Sequence, residues 1–460
     1  MTLIKSISGI RGTIGGRYAD NLTPLDIVEC VSGYAFLLKK DSDTPTVVTG
    51  SDARISGTMV SNLAINTLVA CGVNVIDLGL STTPTVEMAV THHKAQGGII
   101  FTASHNPKQW NALKFLNNKG EFISSAQGEA ILESIKTKDW DYADVDSLGS
   151  VIIDTNAIDR HIDAILELPY IDVDAIKSNR YEVVVDCINS TGAKSIPPLL
   201  HKLGCTFHLI NDEMTGDFAH NPEPLAKNLI DLCASVKANG ADLGIAVDPD
   251  VDRLALIDEK GQLIGEEYTL VLAADYLLPI IGGTTVSNLS STRALSDIAK
   301  KHNTTYHASA VGEVNVVNAM KENGAKIGGE GNGGVILGDL HFGRDSLVGI
   351  AICLSKMATS GESLSTIRAS YPDYTIIKNK IQLTPEIDID KLIASLEQEY
   401  AGESLNKVDG LKINFEEGWV HLRKSNTEPI IRVYAESSSS DAAASLASQV
   451  MKSADRIINS

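Results

Sequence analysis

A serine that could accept a phosphoryl group stands in the run T-A-S-H-N-P at positions 102–107, directly after the apolar segment 98–101. That segment is predicted to be a buried strand, so Ser104 lies where a strand ends and a turn begins, a usual position for chemistry in α/β proteins. Lys114 follows ten residues after the serine, and such a lysine can balance charge and assist proton movement. A Ser-His pair alone carries little weight, and adjacency does not make His105 the base of a dyad. Because the G-x-S-x-G elbow of serine hydrolases is absent, the context of Ser104 is what makes it a candidate.

Three aspartates at alternate positions form a second candidate site in the run D-P-D-V-D-R at 248–253. Side chains at a spacing of two can share one side of an extended loop, so we expect Asp248, Asp250 and Asp252 to converge. Carboxylates held that close repel one another strongly. A hard cation that prefers oxygen ligands, such as Mg²⁺, removes this repulsion, and Arg253 could hold a phosphate beside the metal.

An EF-hand calcium loop and a solvated acidic turn are the alternatives for this run. Glu259 stands at position 12 counted from Asp248, as an EF-hand requires. However, position 2 is a proline, and position 6 is Arg253 where the calcium loop needs glycine. The flanking segments 243–247 and 254–257 are also predicted to be strands. Arg253 argues against a merely solvated turn, because a guanidinium there suits a bound phosphate.

Two further loops offer groups that could hold a sugar phosphate. The glycine-rich run G-G-E-G-N-G-G at 328–334 is neither a dinucleotide fingerprint nor a Walker A motif. It is either a flexible turn or a close approach of backbone to a sugar whose hydroxyls bind Glu330 and Asn332. The run R-K-S-N-T-E-P at 423–429 is either an exposed polar hairpin or a phosphate cradle, with donors from Arg423, Ser425, Asn426, Thr427 and, in the next strand, Arg432. Arg11, in the glycine turn S-G-I-R-G, would alone be an ordinary surface residue.

The composition excludes several classes of protein. The chain has 460 residues, 43% of them hydrophobic and 21% charged, with a formal net charge of −19. Such a length predicts several domains, and the acidic charge argues against nucleic-acid binding. No segment resembles a signal peptide or a membrane span. The six cysteines contain no C-x-x-C pair, so we expect buried free thiols in the cytoplasm.

A repeating pattern in the sequence predicts the strands and helices that position these motifs. A β-branched strand, a polar loop, a helix and a second strand recur three times, beginning at residues 46, 182 and 284. Each repeat reads as a β-α-β unit of a parallel sheet. The last ninety residues differ, because short strands and two amphipathic helices predict an antiparallel α+β unit. We expect boundaries near residues 150, 255 and 370, giving domains at 1–150, 151–255, 256–370 and 371–460.

Taken together and in this order, the motifs resemble those of the α-D-phosphohexomutase superfamily along essentially the whole chain. The family has an active-site serine in T-A-S-H-N-P, a D-x-D-x-D-R metal loop, a G-E-x-S/N-G sugar loop and an R-x-S-N/G-T-E-P phosphate loop. The resemblance implies an α/β fold of four domains around a central cleft. Three related α/β domains with mixed sheets would carry the serine, metal and sugar loops, and a C-terminal α+β domain of the TATA-binding-protein-like type would bind phosphate.

The resemblance also implies a mechanism. Ser104 would carry a phosphoryl group, donate it to a sugar monophosphate, and regain phosphate from the resulting sugar 1,6-bisphosphate after that intermediate turns over. Mg²⁺ would be held by the three aspartates and the phosphate on Ser104. Acid–base and charge-balancing roles fall to His105 and Lys114, and Arg11 and Arg253 would contact the reacting phosphate. The distal phosphate would bind Arg423, Ser425, Asn426, Thr427 and Arg432, with Glu330 and Asn332 on the sugar.

The identity of the sugar follows less directly, because two loops depart from common family patterns. The serine loop continues N-A-L-K where N-G-x-K is frequent, and the sugar loop E-G-N-G-G differs from both E-M-S-G-H and E-Q-S-G-H. The motifs as a whole most resemble those of a phosphoglucosamine mutase branch. This resemblance implies glucosamine 6-phosphate as the substrate and a monomer or homodimer. A phosphomannomutase/phosphoglucomutase is the alternative. A phosphatase that hydrolyses the phosphoserine, or a sugar-phosphate-binding protein without turnover, fits the residues less well.

Overall fold

The computed structural model describes residues 2–6, 9–384, 387–425 and 429–458. The chain forms two compact units. The first unit consists of Met1–Tyr276 with Asn332–Arg368, and the second of Leu277–Gly331 with Ala369–Ser460. Within the described ranges, no helix is both long and apolar enough to cross a membrane. The domain boundaries near residues 150, 255 and 370 stay predictions.

The first eleven strands and eight helices contain two of the predicted β-α-β repeats. In order they are β1 (Ile4–Ser6), β2 (Gly9–Thr13), α1 (Pro24–Lys39), β3 (Thr46–Ser51), α2 (Gly57–Ala70), β4 (Asn74–Leu80), α3 (Thr83–His92), β5 (Gly97–Phe101), β6 (Trp110–Leu116), α4 (Ser125–Thr137), β7 (Val151–Ile153), α5 (Ala157–Leu166), α6 (Val173–Asn179), β8 (Glu182–Asp186), α7 (Gly192–Lys202), β9 (Thr206–Ile210), α8 (Ile230–Asn239), β10 (Leu243–Val247) and β11 (Leu254–Asp258).

The remaining described elements include the C-terminal α+β segment. In order they are α9 (Glu266–Ile281), β12 (Thr284–Asn288), α10 (Ala294–Lys301), β13 (Thr305–Ser309), α11 (Glu313–Glu322), β14 (Ile327–Glu330), β15 (Gly334–Leu337), α12 (Ser346–Ser360), α13 (Leu364–Ala369), β16 (Thr375–Gln382), α14 (Ile389–Glu399), β17 (Ser404–Asn406), β18 (Leu411–Asn414), β19 (Gly418–Lys424), β20 (Ile430–Ser437) and α15 (Ser440–Ile458).

Two mixed sheets organise the first unit. One has the strand order β1-β2-β6-β5-β3-β4-β7, and the other has the order β11-β10-β8-β9. Strand β3 pairs in parallel with β4 and β5, while β6 runs antiparallel to β5. Every residue of β5 is buried, because neighbouring strands cover its edges and apolar side chains cover both of its faces. The continuous apolar segment at 98–101 is therefore an internal strand, as predicted.

The second unit contains a parallel and an antiparallel sheet. Strand β12 pairs in parallel with both β13 and β14, and the C-terminal strands form an antiparallel sheet in the order β16-β20-β19-β18-β17. Helices α14 and α15 cover one face of that sheet, where Leu396, Leu446 and Val450 pack with Leu422 and Val433. The predicted antiparallel α+β segment is confirmed.

The three predicted β-α-β repeats are also confirmed, since β3 and β4, β8 and β9, and β12 and β13 each pair in parallel around an intervening helix. All six cysteines lie in the described ranges and are unpaired. Five are buried and Cys233 is partly exposed, so the expectation of burial is wrong for Cys233 alone.

The buried sheet around β5 should dominate the stability of the first unit. Ile99 is fully buried in its main core, so Ile99→Ala should cost about 2–5 kcal/mol through lost burial and the cavity left behind. Ile153, on the edge strand β7, is 76% exposed, and Ile153→Ala should change stability by less than about 0.5 kcal/mol. Urea unfolding followed by circular dichroism measures both variants. Equal shifts of the first unfolding transition would contradict this placement of the core.

Candidate functional site

Ser104 has a backbone conformation that residues other than glycine rarely adopt. Its φ is 47°, in the left-handed region, which costs a non-glycine residue about 1 kcal/mol or more. The amide of Ser104 donates to Thr102 Oγ1 at 2.8 Å, and its hydroxyl donates to Asp248 Oδ2 at 2.6 Å. The loop after β5 therefore turns sharply and directs the serine oxygen at the aspartate run, as expected from a strand end.

Arg54 fixes this loop from beneath, and sequence reasoning did not find it. Its guanidinium donates to four backbone carbonyls of the serine loop, those of Ser104, Asn106, Pro107 and Trp110. The side chains of Arg54 and its ion-pair partner Asp52 are both fully buried, with Nε and Oδ2 3.0 Å apart. Four backbone acceptors on one buried guanidinium restrict the loop far more than a single contact could.

Asp52 is also linked to the amide of Ser104, through the hydroxyl of Thr102. Its Oδ2 accepts a hydrogen bond from Thr102 Oγ1 at 2.6 Å, and the same hydroxyl accepts from the amide of Ser104. Burial raises the pKa of Asp52, although the Arg54 charge opposes that shift. The only sequence signal for the pair is D-x-R after the predicted strand β3, and that signal names no partner.

The aspartate run forms a tight turn and not the extended loop that the alternate spacing suggested. The amide of Val251 donates to the carbonyl of Asp248, and Val251 has a φ of 61°, which is unusual for a β-branched residue. Oxygens of Asp248, Asp250 and Asp252 nevertheless lie within 4.8 Å of one another, and all three residues are fully buried. The predicted convergence is right, but the predicted backbone is wrong because a turn brings the carboxylates together. The predicted flanking strands are present as β10 and β11.

Lys114 on β6 provides positive charge to this cluster. Its Nζ lies 2.8 Å from Asp250 Oδ2 and 3.6 Å from Asp252 Oδ2. Burial alone would lower the pKa of Lys114, but the two carboxylates outweigh burial and raise it. In the same way, the pKa of Asp250 lies below its ordinary value because Lys114 outweighs desolvation. The pKa of Asp248 is raised instead, by burial and by the neighbouring Asp252 and Asp250 charges.

The carboxylate cluster fits a divalent cation. Among the described residues, Asp250 Oδ1 and Asp252 Oδ1 are buried without a hydrogen-bond partner, and orphaned buried carboxylate oxygens are costly. All the converging donors, including Ser104 Oγ, are oxygens, which are the ligands that Mg²⁺ prefers. A bound cation would satisfy both orphaned oxygens and offset the mutual repulsion.

Arginines surround the cluster, and sequence reasoning identified two of the three. Arg11 on β2 donates to Asn106 Oδ1 of the serine loop at 3.3 Å, and burial followed by repulsion from Arg253 lowers its pKa. Arg253 contacts Glu223 at 3.7 Å. Arg344 was missed, although its Nη2 donates to Asp252 Oδ2 at 2.7 Å, because it lies 92 residues away in sequence.

His105 is adjacent to the serine and half-buried. Its Nδ1 lies 3.4 Å from Ser104 Oγ, at the long end of a hydrogen bond. Burial, together with Arg253 and Arg344, lowers the pKa of His105 to about 2. The imidazole is therefore neutral at physiological pH and retains an acceptor nitrogen, whereas Lys114 retains its proton.

The two predicted sugar-loop residues fall in different units. Asn332, in the first unit, accepts a hydrogen bond from the amide of Gly334 through Oδ1. Glu330 ends β14 in the second unit, where its Oε1 accepts from Asn288 Nδ2 at 2.9 Å and from the Gly312 amide at 3.2 Å. The glycine-rich run is thus anchored at Glu330 by specific hydrogen bonds and is not a free flexible turn.

A row of cations crosses the antiparallel sheet of the second unit. Arg423 on β19 stands opposite Arg432 on β20, and Arg432 stands opposite Lys380 on β16. Like charges directly opposite each other destabilise a sheet, and Asp409, 3.6 Å from Arg423, offsets part of this repulsion. Guanidinium groups on adjacent strands are also suited to binding an anion. Lys380 was missed because cross-strand register is not visible in sequence. Ser425, at the end of β19, is buried, while the predicted Asn426 and Thr427 lie outside the described residues.

Comparison with known proteins identifies the family. Four phosphoglucomutase/phosphomannomutase family domains match in order, alpha/beta/alpha domain I at residues 3–141, domain II at 159–261, domain III at 265–374 and the C-terminal domain at 385–453. A "Phosphoglucomutase/phosphomannomutase" of Thermococcus kodakarensis is 37% identical over 439 residues, covering 94% of this chain and 95% of the relative. A "Probable phosphoglucosamine mutase" of Methanopyrus kandleri is 32% identical, covering 95% of each.

The fold agrees with a solved structure of the same family. A phosphoglucomutase/phosphomannomutase family protein from Burkholderia thailandensis superposes with a TM-score of 0.83 at 24% identity, covering 98% of this chain and 96% of that one. The four-domain α/β architecture with an antiparallel C-terminal sheet is therefore confirmed. The chain belongs to the phosphoglucomutase/phosphomannomutase family of the α-D-phosphohexomutase superfamily and is an isomerase of the phosphohexomutase type.

Proposed function

We propose that this phosphohexomutase interconverts glucosamine 6-phosphate and glucosamine 1-phosphate through a phosphoryl group carried on Ser104. The observation that supports the proposal most is the 2.6 Å hydrogen bond from Ser104 Oγ to Asp248 in a buried cluster of carboxylates. A serine hydroxyl there has both a cation site and a charged lysine within reach. Phosphoryl transfer depends mainly on such positioning and charge neutralisation.

The protonation states assign roles to the groups around Ser104. Lys114, held in its charged form by two carboxylates, donates a proton or balances negative charge. His105 is neutral and lies 3.4 Å from the serine oxygen, so it can accept a hydrogen bond from a hydroxyl in that position, although its lowered pKa makes it a weak base. In both directions of a reversible transfer, Lys114 would offset negative charge and His105 would position the serine hydroxyl.

Asp248, Asp250, Asp252 and Ser104 would hold Mg²⁺. When bound, the ion supplies positive charge against the negative charge that develops on the transferred phosphoryl group. Arg11 and Arg253 would contact the reacting phosphate from the same unit, because each carries a guanidinium next to the serine or aspartate loop.

The row of Arg423, Arg432 and Lys380 would bind the phosphate that is not transferred. The row places guanidinium groups on neighbouring strands, with Asp409 3.6 Å from Arg423, and guanidinium groups bind phosphate through paired hydrogen bonds. Ser425, with the predicted Asn426 and Thr427, would add neutral donors.

The choice of glucosamine rests on two supports. One is the name "Probable phosphoglucosamine mutase" of the relative from Methanopyrus kandleri. The other is Glu330, a buried carboxylate in the predicted sugar loop, because an acidic group near C2 favours an ammonium over a hydroxyl. The name of the relative from Thermococcus kodakarensis favours glucose and mannose phosphates, which form the second candidate class.

Ser104→Ala should abolish the phosphoenzyme and reduce turnover by roughly 10³-fold or more, since it removes the proposed nucleophile. Peptide mass spectrometry should find phosphate on Ser104 in wild-type protein and not in the variant. Ser125→Ala changes an exposed serine at the start of α4 and should alter neither result. Full turnover by Ser104→Ala, or phosphate mapped reproducibly to another residue, would rule out this mechanism.

Asp250→Asn should weaken Mg²⁺ binding and abolish Mg²⁺-dependent turnover, because it removes one charged ligand. The fold should be retained, since Lys114 keeps Asp252 as a second partner at 3.6 Å. Isothermal titration with Mg²⁺ measures binding, and circular dichroism checks the fold. Asp139→Asn, at an exposed carboxylate, is the control. Wild-type affinity for Mg²⁺ in Asp250→Asn, or full activity of metal-free enzyme, would contradict the assignment.

The substrate is tested by kcat/KM for the 6-phosphates of glucosamine, glucose and mannose, each with its matched bisphosphate activator. Glucosamine 6-phosphate should be preferred by about tenfold or more. Preference for glucose or mannose phosphate by that margin would replace the proposed sugar and leave the serine mechanism intact. Release of inorganic phosphate with no sugar 1-phosphate would instead identify a phosphatase.

A further inference from the structure

A second cluster of metal-ligating side chains lies in the first unit and shares no residue with the aspartate turn. His161 lies on α5, Asp345 caps the N-terminus of α12, and His341 precedes it in the same loop. Asp345 Oδ2 is 2.9 Å from His161 Nε2 and 3.4 Å from His341 Nε2. One ligand atom from each of the three residues lies within 4.8 Å of the others.

The other nitrogen of each imidazole faces an oxygen on α3. His161 Nδ1 lies 2.9 Å from Thr85 Oγ1, and His341 Nδ1 lies 3.3 Å from Glu87 Oε2. Histidines that bind metal through Nε2 almost always direct Nδ1–H at such an oxygen, which fixes the tautomer and makes Nε2 more basic. His161 has this arrangement through Thr85. For His341, the Nδ1 contact with Glu87 is an ion-pair distance without hydrogen-bond geometry. Both Nε2 atoms face the same carboxylate oxygen of Asp345.

The surrounding backbone holds these groups rigidly. Asp345 Oδ1 accepts from the amides of Leu347 and Val348 at 2.8 and 3.3 Å, which leaves Oδ2 directed at the imidazoles. A Cβ at Gly343 would collide with the Glu87 carboxylate, so the loop before α12 closes directly on that group. His161 and Asp345 are 1% and 0% exposed, as a structural metal site requires and a surface cluster does not provide.

We propose that His161, His341 and Asp345 bind a structural zinc ion that joins α5 to the start of α12. Two imidazoles and one carboxylate are a donor set typical of Zn²⁺, whereas the oxygen-only aspartate cluster suits Mg²⁺. Glu87 and Thr85 orient the histidines and do not bind the ion themselves. The competing arrangement is a hydrogen-bonded network in which protons alone neutralise the buried carboxylates.

The test uses the full chain, stripped with a chelator and equilibrated with excess Mg²⁺ so that the aspartate cluster is filled. Titration with Zn²⁺ followed by desalting and elemental mass spectrometry should give one zinc ion per chain, and bound zinc should raise the unfolding midpoint. Asp250→Asn should still bind this zinc ion. His208→Gln, at a histidine 48% exposed, is the matched control and should bind it equally.

Two variants separate zinc from a proton network. His161→Gln with His341→Gln should lose the zinc ion, with circular dichroism confirming the fold. Thr85→Val keeps all three ligands and the side-chain volume but removes the acceptor for His161, so zinc affinity should fall about 10–100-fold. Failure of wild-type protein to retain zinc would overturn the proposal. So would equal zinc binding by the double variant or undiminished affinity in Thr85→Val.

Discussion

The buried guanidinium of Arg54 is the constraint on which the serine loop depends. Four backbone carbonyls between Ser104 and Trp110 converge on it, and Asp52 neutralises its charge at 3.0 Å. Burying a charged group costs free energy unless it is paired and hydrogen-bonded, and here both conditions hold. The loop cannot relax without stranding this charge, and the left-handed conformation of Ser104 therefore persists.

The serine oxygen contacts a second buried group of charges through its hydrogen bond to Asp248. Three fully buried aspartates lie around the turn at Val251, and the cations that face them come from distant segments. Lys114 belongs to β6, and Arg344 belongs to the loop before α12. The neutral hydroxyl of Thr83, at the start of α3, also donates to Asp250 Oδ2 at 2.7 Å. These contacts offset part of the repulsion, but two carboxylate oxygens keep no hydrogen-bond partner among the described residues. The protein is thus organised for a cation before one binds.

Sequence reasoning identified residues whose chemistry is local and missed those that act through tertiary contacts. Ser104 and the aspartate run were recognisable because residue type, spacing and a preceding apolar strand all occur within a few positions. The backbone of the aspartate run was wrongly predicted, because a left-handed valine has no sequence signal. Arg54 and Lys380 were missed for another reason. A lone cation is ordinarily exposed, and only the fold shows that Arg54 is buried beneath a loop and that Lys380 aligns with two arginines.

The two units each bring charges of one sign close together, negative in the first unit and positive in the second. In the first unit Lys114 and Arg344 offset part of the repulsion among the carboxylates. In the second unit Arg423, Arg432 and Lys380 stand opposite one another on three strands, and Asp409 lies 3.6 Å from Arg423. In a chain with a net charge of −19, a diffuse positive surface cannot attract a phosphorylated sugar, so attraction has to come from such local rows. If the phosphoryl group is carried on Ser104 as we propose, the same pre-arranged charges would stabilise it in transfer without further rearrangement.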